Sequence, residues 1–316
     1  MNEFKKEIEQ TVHDLIIVGS GPAGLSAAVY ASRGGLEVIM IDTVPGGELL
    51  NIAEIENWPG DSHVLGPELA ARMSEHATQF GAKHIFGIVE KIIDKCDIKL
   101  VESFDKIYQA KSVIIASGTK ERLLGIPGES EYKGSGISYC ATCDAAFFKN
   151  EIVTVIGGGD TAYKSAEYIS RFAKEVHMFL RRDVARAEKI AIDRVHAKDN
   201  IEVHYKYSPI EIKGTNGKVS SVVLKNNRPG EHDLWEFETA AVFPLIGTIP
   251  NTDFVGDLPI LDENRYIVVN DRMETQIPGI FAAGDVIAKG LRQVVTAASD
   301  GAIAGEAAGN YIHSLS

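Results

Sequence analysis

Asp14-Leu15-Ile16-Ile17-Val18-Gly19-Ser20-Gly21-Pro22-Ala23-Gly24 is the stretch that decides the fold. Leu15 to Val18 is an unbroken apolar, β-branched run, which reads as a strand buried on both faces of a parallel sheet. The glycines at 19, 21 and 24 follow the spacing G-x-G-x-x-G. They allow a tight turn, close approach of backbone to a pyrophosphate, and close helix packing, while the helix N-terminus adds partial positive charge. A helix is expected from Leu25 to about Arg33 and a second strand from Glu37 to Ile41. That strand ends in Asp42, eighteen residues past Gly24, where a carboxylate can accept a hydrogen bond from a ribose hydroxyl. Strand, glycine turn, helix, strand and acid together open a doubly wound α/β domain.

Working outward, the same unit recurs 138 positions later, counted from Gly19 to Gly157. Ile152 to Ile156 reads as a strand, followed by Gly157-x-Gly159-x-x-Ala162, with Asp160 and Thr161 inside the turn. A helix to about Phe172 and a strand from Glu175 to Leu180 complete it. Here no acid ends the second strand; Arg181 and Arg182 stand there, with Arg186 close by. A carboxylate would repel a 2′-phosphate, whereas guanidinium groups bind one bidentately, so NADPH is expected over NADH. Ser112 to Thr119 is a buried strand ending in a turn at Gly118. Ala241 to Thr248 looks like a return crossing. Gly279 to Asp285 resembles a strand meeting a cofactor, with a long helix of small residues after it. The expected architecture is two Rossmann-like nucleotide-binding domains, the second inserted into the first. The boundaries expected are 1–117 and 247–316 for the first domain and 118–246 for the second.

Between the two fingerprints lies Cys140-Ala141-Thr142-Cys143-Asp144. A C-x-x-C pair can close into a readily reduced disulfide and pass two electrons by thiol–disulfide exchange. A structural zinc site would need four ligands. No second C-x-x-C or H-x-x-x-H exists and the nine histidines are scattered, so no metal is expected. Asp144 can supply the acid or base that thiolate generation needs. Cys96 is expected to be a buried small hydrophobe. Two nucleotide sites and a redox pair suggest a relay from nicotinamide to flavin to disulfide to an outside partner. No G-x-S-x-G, H-E-x-x-H or P-loop is present, which leaves hydrolase and nucleotide-triphosphate-driven readings without support.

With 316 residues, two domains can each bury a core. A net charge of −12 argues against nucleic acid and anionic lipid as partners. Three cysteines, two at redox spacing, fit a reducing cytosol better than a secreted framework. Met1 to Asp14 is read as a charged, mixed tail with no apolar signal region. Leu15 to Ser32 is uncharged, but Gly19, Gly21, Pro22 and Gly24 break it too early for a membrane span.

Taken in order, these segments resemble the low-molecular-weight, bacterial-type thioredoxin reductases over nearly the whole chain. Gly46-Gly47-Glu48-Leu49 and Ile55-Glu56-Asn57-Trp58-Pro59-Gly60 are similar to that family's flavin-contacting loop. Cys140 to Asp144 is similar to its active site, and Arg181-Arg182-x-x-x-Arg186 to its 2′-phosphate motif. Gly284-Asp285 and Arg292-Gln293-Val294-Val295-Thr296-Ala297-Ala298 are similar to its C-terminal FAD segment. The resemblance implies FAD and NADPH as cofactors, thioredoxin as partner, and a homodimer. It implies that Asp285 binds the ribityl or phosphate region and that Arg292 and Gln293 border the isoalloxazine. Cys143 would then face the flavin, Cys140 attack the thioredoxin disulfide, and Asp144 handle protons. Departures from the family are Glu48 for Gln, Leu180 for His, Ala145 for Gly, and Tyr163-Lys164-Ser165 for an apolar residue and two acids. Because the C-x-x-C precedes the second fingerprint, disulfide and nicotinamide share one domain and must alternate at one flavin. A swivel is therefore expected about 117–119 and 244–248. The rival readings are a related flavoenzyme using ferredoxin or a small dithiol, and a non-catalytic nucleotide sensor.

Overall fold

The computed structural model describes residues 6–52, 54–228, 230 and 233–315. The chain divides into two compact units, Met1–Lys120 with Pro250–Ser316, and Glu121–Ile249. The second unit thus interrupts the first in sequence. The crossings fall at 120/121 and 249/250, inside two short strands, Thr119–Glu121 and Thr248–Pro250, that pair with each other.

In the first unit a parallel sheet runs in the order Lys83–Phe86, Val38–Asp42, Glu7–Val18, Lys106–Ile115. The last of these strands serves two neighbours. Its first half pairs antiparallel with Ile98–Ser103, which pairs with Val89–Lys95, and its second half pairs parallel with Ile280–Ala282. Both faces of the central run are buried, as an uninterrupted apolar strand requires. Leu15 and Ile17 pack with Ala27, Ala28 and Ala31 of the helix Pro22–Arg33, and Ile16 and Val18 pack with Val113 and Ile115 on the other face.

Two expectations need correcting here. The tail expected over Met1–Asp14 is strand from Glu7 onward, and residues 1–5 lie outside the described residues. Its polar half pairs with Lys106 to Ala110 and is tied down by Lys6, whose Nζ lies 2.6 Å from Glu90 and 3.0 Å from Glu102. No apolar run marks it, because an exposed strand extension needs only ladder partners. Cys96 is exposed rather than buried. It sits at a hairpin tip with φ 62°, its N–H donating to Asp94 Oδ1 at 3.0 Å. Turn geometry, which short-range apolar pattern does not report, carries the thiol outward.

The C-terminal helix Val294–Ser314 lies against Pro22–Arg33 through small residues. A Cβ at Gly301 would stand 2.0 Å from the carbonyl oxygen of Ala23, and one at Gly305 2.6 Å from that of Ala27. Gly309, in the same helix, has open space around it. Gly301→Ala is therefore expected to lower stability by about 3 kcal/mol, since backbone must move to admit the methyl. Gly309→Ala is expected to raise it by up to about 1 kcal/mol through helix propensity. Thermal unfolding of the two variants checks the pair; equal midpoints would contradict this packing.

The second unit has a four-stranded parallel sheet in the order Ile201–Tyr205, Glu175–Leu180, Ile152–Ile156, Ala241–Pro244. Val153, Val155, Val176 and Met178 face the helices Ala141–Asp144, Asp160–Ile169 and Lys189–His196. Ile156, Phe179 and Val242 pack with Val222 and Leu224 of an antiparallel layer, Tyr207–Thr215, Lys218–Asn226 and Leu234–Glu238. Each unit therefore owns its core. No described helix is long and apolar enough to cross a membrane.

Candidate active site

The first fingerprint is held by contacts that leave no room for side chains at two of its glycines. Gly19 has φ 101°, and a Cβ there would lie 2.4 Å from the Ala116 carbonyl oxygen. A Cβ at Gly24 would lie 2.1 Å from that of Gly19. Gly21 differs: the nearest atom to its Cβ position is Gly47 Cα at 3.9 Å, so backbone is bare where a phosphate approaches. Pro22 starts the helix, where its fixed φ costs nothing. Asp42 reaches back to the turn, its Oδ2 accepting from Ser20 N at 2.7 Å and Ser20 Oγ at 2.9 Å, and its Oδ1 from Thr43 N at 2.7 Å. One of its four acceptor positions stays open for a ribose hydroxyl.

Several distant segments converge on this turn. Gly46 N donates to Ser20 O at 2.8 Å, placing Gly47 and Glu48 beside Gly21. Asn57 Nδ2 donates to Gln293 Oε1 at 3.0 Å, uniting two segments 236 positions apart. Gly284 has φ 84° and abuts Ala23, a Cβ there standing 2.7 Å from the alanine methyl. Asp285 follows, and its Oδ1 is buried without a hydrogen-bond partner. Burial raises its carboxyl pKa, with Lys289 opposing. A buried carboxylate oxygen with Lys289 Nζ 3.5 Å away can accept from a cofactor hydroxyl, and the bare glycine turn suits the phosphates of FAD. Arg292 donates to the backbone oxygens of Asp285 and Ile287, each at 3.4 Å, and lies 4.3 Å from the Tyr266 ring centroid. Val294 starts the C-terminal helix, whose capping box joins Gln293 and Thr296. Gly118, φ 63°, has open space around it.

The second fingerprint repeats the device. Gly157 has φ 148° and would place a Cβ 2.1 Å from Leu245 O, whereas Gly159 has nothing within 4 Å. Leu180 packs under Gly158, 2.8 Å from that residue's Cβ position. Asp160 Oδ1 accepts from Glu188 N at 2.7 Å, and Arg186 N donates to Gly158 O at 2.7 Å, which folds the arginine loop over the turn. Thr161 is exposed in the first helical turn. The Arg181, Arg182 and Arg186 side chains are exposed and make no ion pair among the described residues. Lys164 pairs with Glu188 at 3.7 Å, so its charge is matched. Tyr163 is buried, which raises its phenol pKa.

Cys140 and Cys143 form a disulfide of 2.08 Å with Cα atoms 5.4 Å apart. Cys140 caps the short helix Ala141–Asp144, its Sγ accepting from Cys143 N at 3.1 Å. Cys143 is exposed and Cys140 half-buried. Ala141 and Ala145 are buried against the second unit's sheet, so the redox turn is anchored from both ends. Asp144 N donates to Cys140 O at 3.2 Å.

Residues 13–301 match the family model described as pyridine nucleotide-disulphide oxidoreductase. A thioredoxin reductase of Bacillus subtilis is 44% identical over 308 residues, covering 97% of each chain. One of Listeria innocua is also 44% identical, over 97% of this chain and 96% of its own. The chain belongs to the thioredoxin reductase family. Among solved structures, Lactococcus lactis thioredoxin reductase in its FR conformation superposes with a TM-score of 0.93 at 43% identity, covering 96% of this chain and all of that one. That of T. acidophilum gives 0.89 at 38% identity, over 96% and 99%. The family's cofactors are FAD and NADPH, and both fit the residues described above.

Four residues that motif reading did not find join these sites. Lys206 has φ 66° and donates its N–H to Arg182 O at 3.1 Å, with Nζ 3.5 Å from Asp183. Lys289 Nζ is 2.7 Å from Asp300 and 3.5 Å from Asp285, and Asp300 also accepts from Gly284 N at 3.2 Å. Tyr266 lies under Arg292. None belongs to a glycine or cysteine motif. Only the position of Lys206 at the end of a strand neighbouring the arginine pair offered a signal.

Proposed function

We propose that the chain is an NADPH-dependent thioredoxin-disulfide reductase working through FAD and the Cys140–Cys143 pair. The observation carrying this is the closed C-x-x-C disulfide on a unit that also holds a fingerprint flanked by three exposed arginines, which make no ion pair among the described residues. FAD, when bound, supplies a carrier that takes two electrons from NADPH and gives them to the disulfide. Gly19 to Gly24, Asp42, Gly47, Glu48, Asn57, Gly118, Gly284, Asp285 and Arg292 to Val294 hold it. Gly157, Gly159 to Thr161, Arg181, Arg182 and Arg186 hold NADPH.

Once the pair is reduced, the N–H of Cys143 on Cys140 Sγ favours negative charge on that sulfur. Cys140 thiolate attacks one sulfur of the thioredoxin disulfide, forming a mixed disulfide and releasing the other sulfur as thiolate. Cys143 thiolate then attacks Cys140 Sγ, closes the ring and frees the second thioredoxin sulfur. Two electrons leave the pair, and the two thioredoxin thiolates take up two protons, one relayed by Asp144. The two paired crossings support a swivel of the inserted unit between half-reactions. A homodimer and a cytoplasmic location are part of the same reading, supported by the resemblance and by the sparse cysteines; light scattering tests the first.

The test is an assay of FAD-loaded protein with thioredoxin and either nicotinamide donor. NADPH-driven thiol release is expected, with NADH poorer by about 10²-fold or more. Absence of thioredoxin-dependent thiol release, with FAD bound, would refute the reading.

A further inference from the structure

We infer that His177, Glu202 and His204 form a site for one divalent transition-metal ion of the zinc and copper type. The three come from neighbouring parallel strands, Glu175–Leu180 and Ile201–Tyr205, with His177 in register with Glu202. Glu202 and His204 are two residues apart and so share a sheet face with His177. That face is the one covered by the antiparallel layer, opposite the helices that carry Cys140 to Asp144.

The ligand atoms converge. His177 Nδ1 lies 3.0 Å from His204 Nε2, and 3.7 Å from Glu202 Oε2. One ligand atom from each residue falls within 4.8 Å of the others. Two ligand atoms about 2.1 Å from a common ion stand roughly 3 to 4 Å apart, so the set is spaced for an ion. The outer ring nitrogens already face carboxylates. His177 Nε2 is 3.4 Å from Glu175 Oε2, and His204 Nδ1 is 3.7 Å from Glu202 Oε1. With the ring protons on these outer nitrogens, facing the carboxylates, both inner nitrogens offer lone pairs, as the supporting groups of metal sites arrange. In the absence of an ion, the 3.0 Å separation of the inner nitrogens is that of a hydrogen bond with one ring as donor. An ion takes the place of that hydrogen when the donor ring shifts its proton to the outer nitrogen through solvent, with a small ring rotation and no change in the number of ring protons.

The surroundings fix the rings. Phe179 stacks on His204 at 4.6 Å, Phe237 lies 4.6 Å from His177, and Trp235 lies 5.3 Å from His204. Glu175 and Glu202 together balance a 2+ charge. Two imidazoles and one carboxylate suit Zn²⁺, Ni²⁺ or Cu²⁺; Ca²⁺ and Mg²⁺ want more oxygens, and Cu⁺ wants sulfur. Glu202 is largely exposed, so an ion can enter and a water can complete the shell.

The experiment uses the FAD-loaded, disulfide-closed, tag-free protein. Zn²⁺ is titrated by calorimetry, and Cu²⁺ is titrated while Trp235 fluorescence is followed in a Trp58→Phe background. One ion per chain at micromolar concentration is expected, with quenching of Trp235. Glu202→Gln, at an exposed position that should not disturb folding, is expected to weaken binding by about tenfold or more, and His204→Phe to abolish it. Cys96→Ser is expected to change nothing. No heat and no quenching at micromolar ion would overturn the proposal, as would unchanged affinity in Glu202→Gln or loss of binding in Cys96→Ser. If His204→Phe fails to fold, the Glu202→Gln result decides.

Discussion

Cys143→Ser is expected to abolish thioredoxin turnover, by more than about 10³-fold, while NADPH still bleaches the bound flavin at close to the normal rate. Serine cannot close a ring with Cys140, so the disulfide that accepts electrons is absent. Any mixed disulfide that Cys140 forms with thioredoxin then has no resolving thiolate. The nucleotide sites keep every residue described for them, so the donor half of the cycle has no reason to slow. Because Cys140 Sγ holds a backbone N–H, which serine at 143 retains, the variant should also trap thioredoxin as a stable adduct seen by mass under non-reducing conditions. Stopped-flow bleaching and steady-state thiol release, measured on the same preparation, separate the two halves. Turnover within tenfold of the parent would mean that electrons leave by another route. Loss of bleaching together with turnover would place Cys143 in the first half-reaction instead.

How much of this could be read without coordinates follows from how local each requirement is. A glycine turn is specified by its own neighbours: Gly24 lacks a side chain because Gly19 O occupies the space, five positions away. The strands Ile152–Ile156 and Glu175–Leu180 have the limits expected of them, since their apolar runs are bounded by turn residues. The redox pair needed only its spacing. What escaped was non-local. Lys289 acquires its partner from Asp300 in the next helix, Tyr266 meets Arg292 across 26 positions, and His177 meets His204 across 27. Cys96 is exposed because the conformation of a hairpin tip outweighs average thiol burial. Glu7 to Asp14 reads as tail because exposed strands carry no apolar signature. The departures Leu180 and Lys164 also became interpretable only with neighbours in view, one packed under Gly158 and the other paired with Glu188.

The second large effect concerns the donor. Changing Arg181 and Arg182 together to glutamine should cut kcat/KM for NADPH by about 10²–10⁴-fold and leave NADH within a few-fold of its starting value. A hydrogen bond to a charged group contributes about 1.5–3 kcal/mol, and two guanidiniums therefore account for about 3–6 kcal/mol. Among the described residues their side chains have no acid to release first, so the whole of that interaction is available to the 2′-phosphate. Arg186, folded against the same turn by its backbone bond to Gly158 O, keeps some positive charge in place and sets the loss below complete. The effect should shrink as salt rises, since the groups are exposed and screened. Binding of 2′-phospho-AMP and of AMP, measured by calorimetry at two salt concentrations, isolates the phosphate contribution from turnover. Equal loss for both nucleotides would show that the substitutions had disturbed the fold of the turn, because only the 2′-phosphate distinguishes the ligands. Equal affinity of the parent for both would remove the arginines from donor selection altogether.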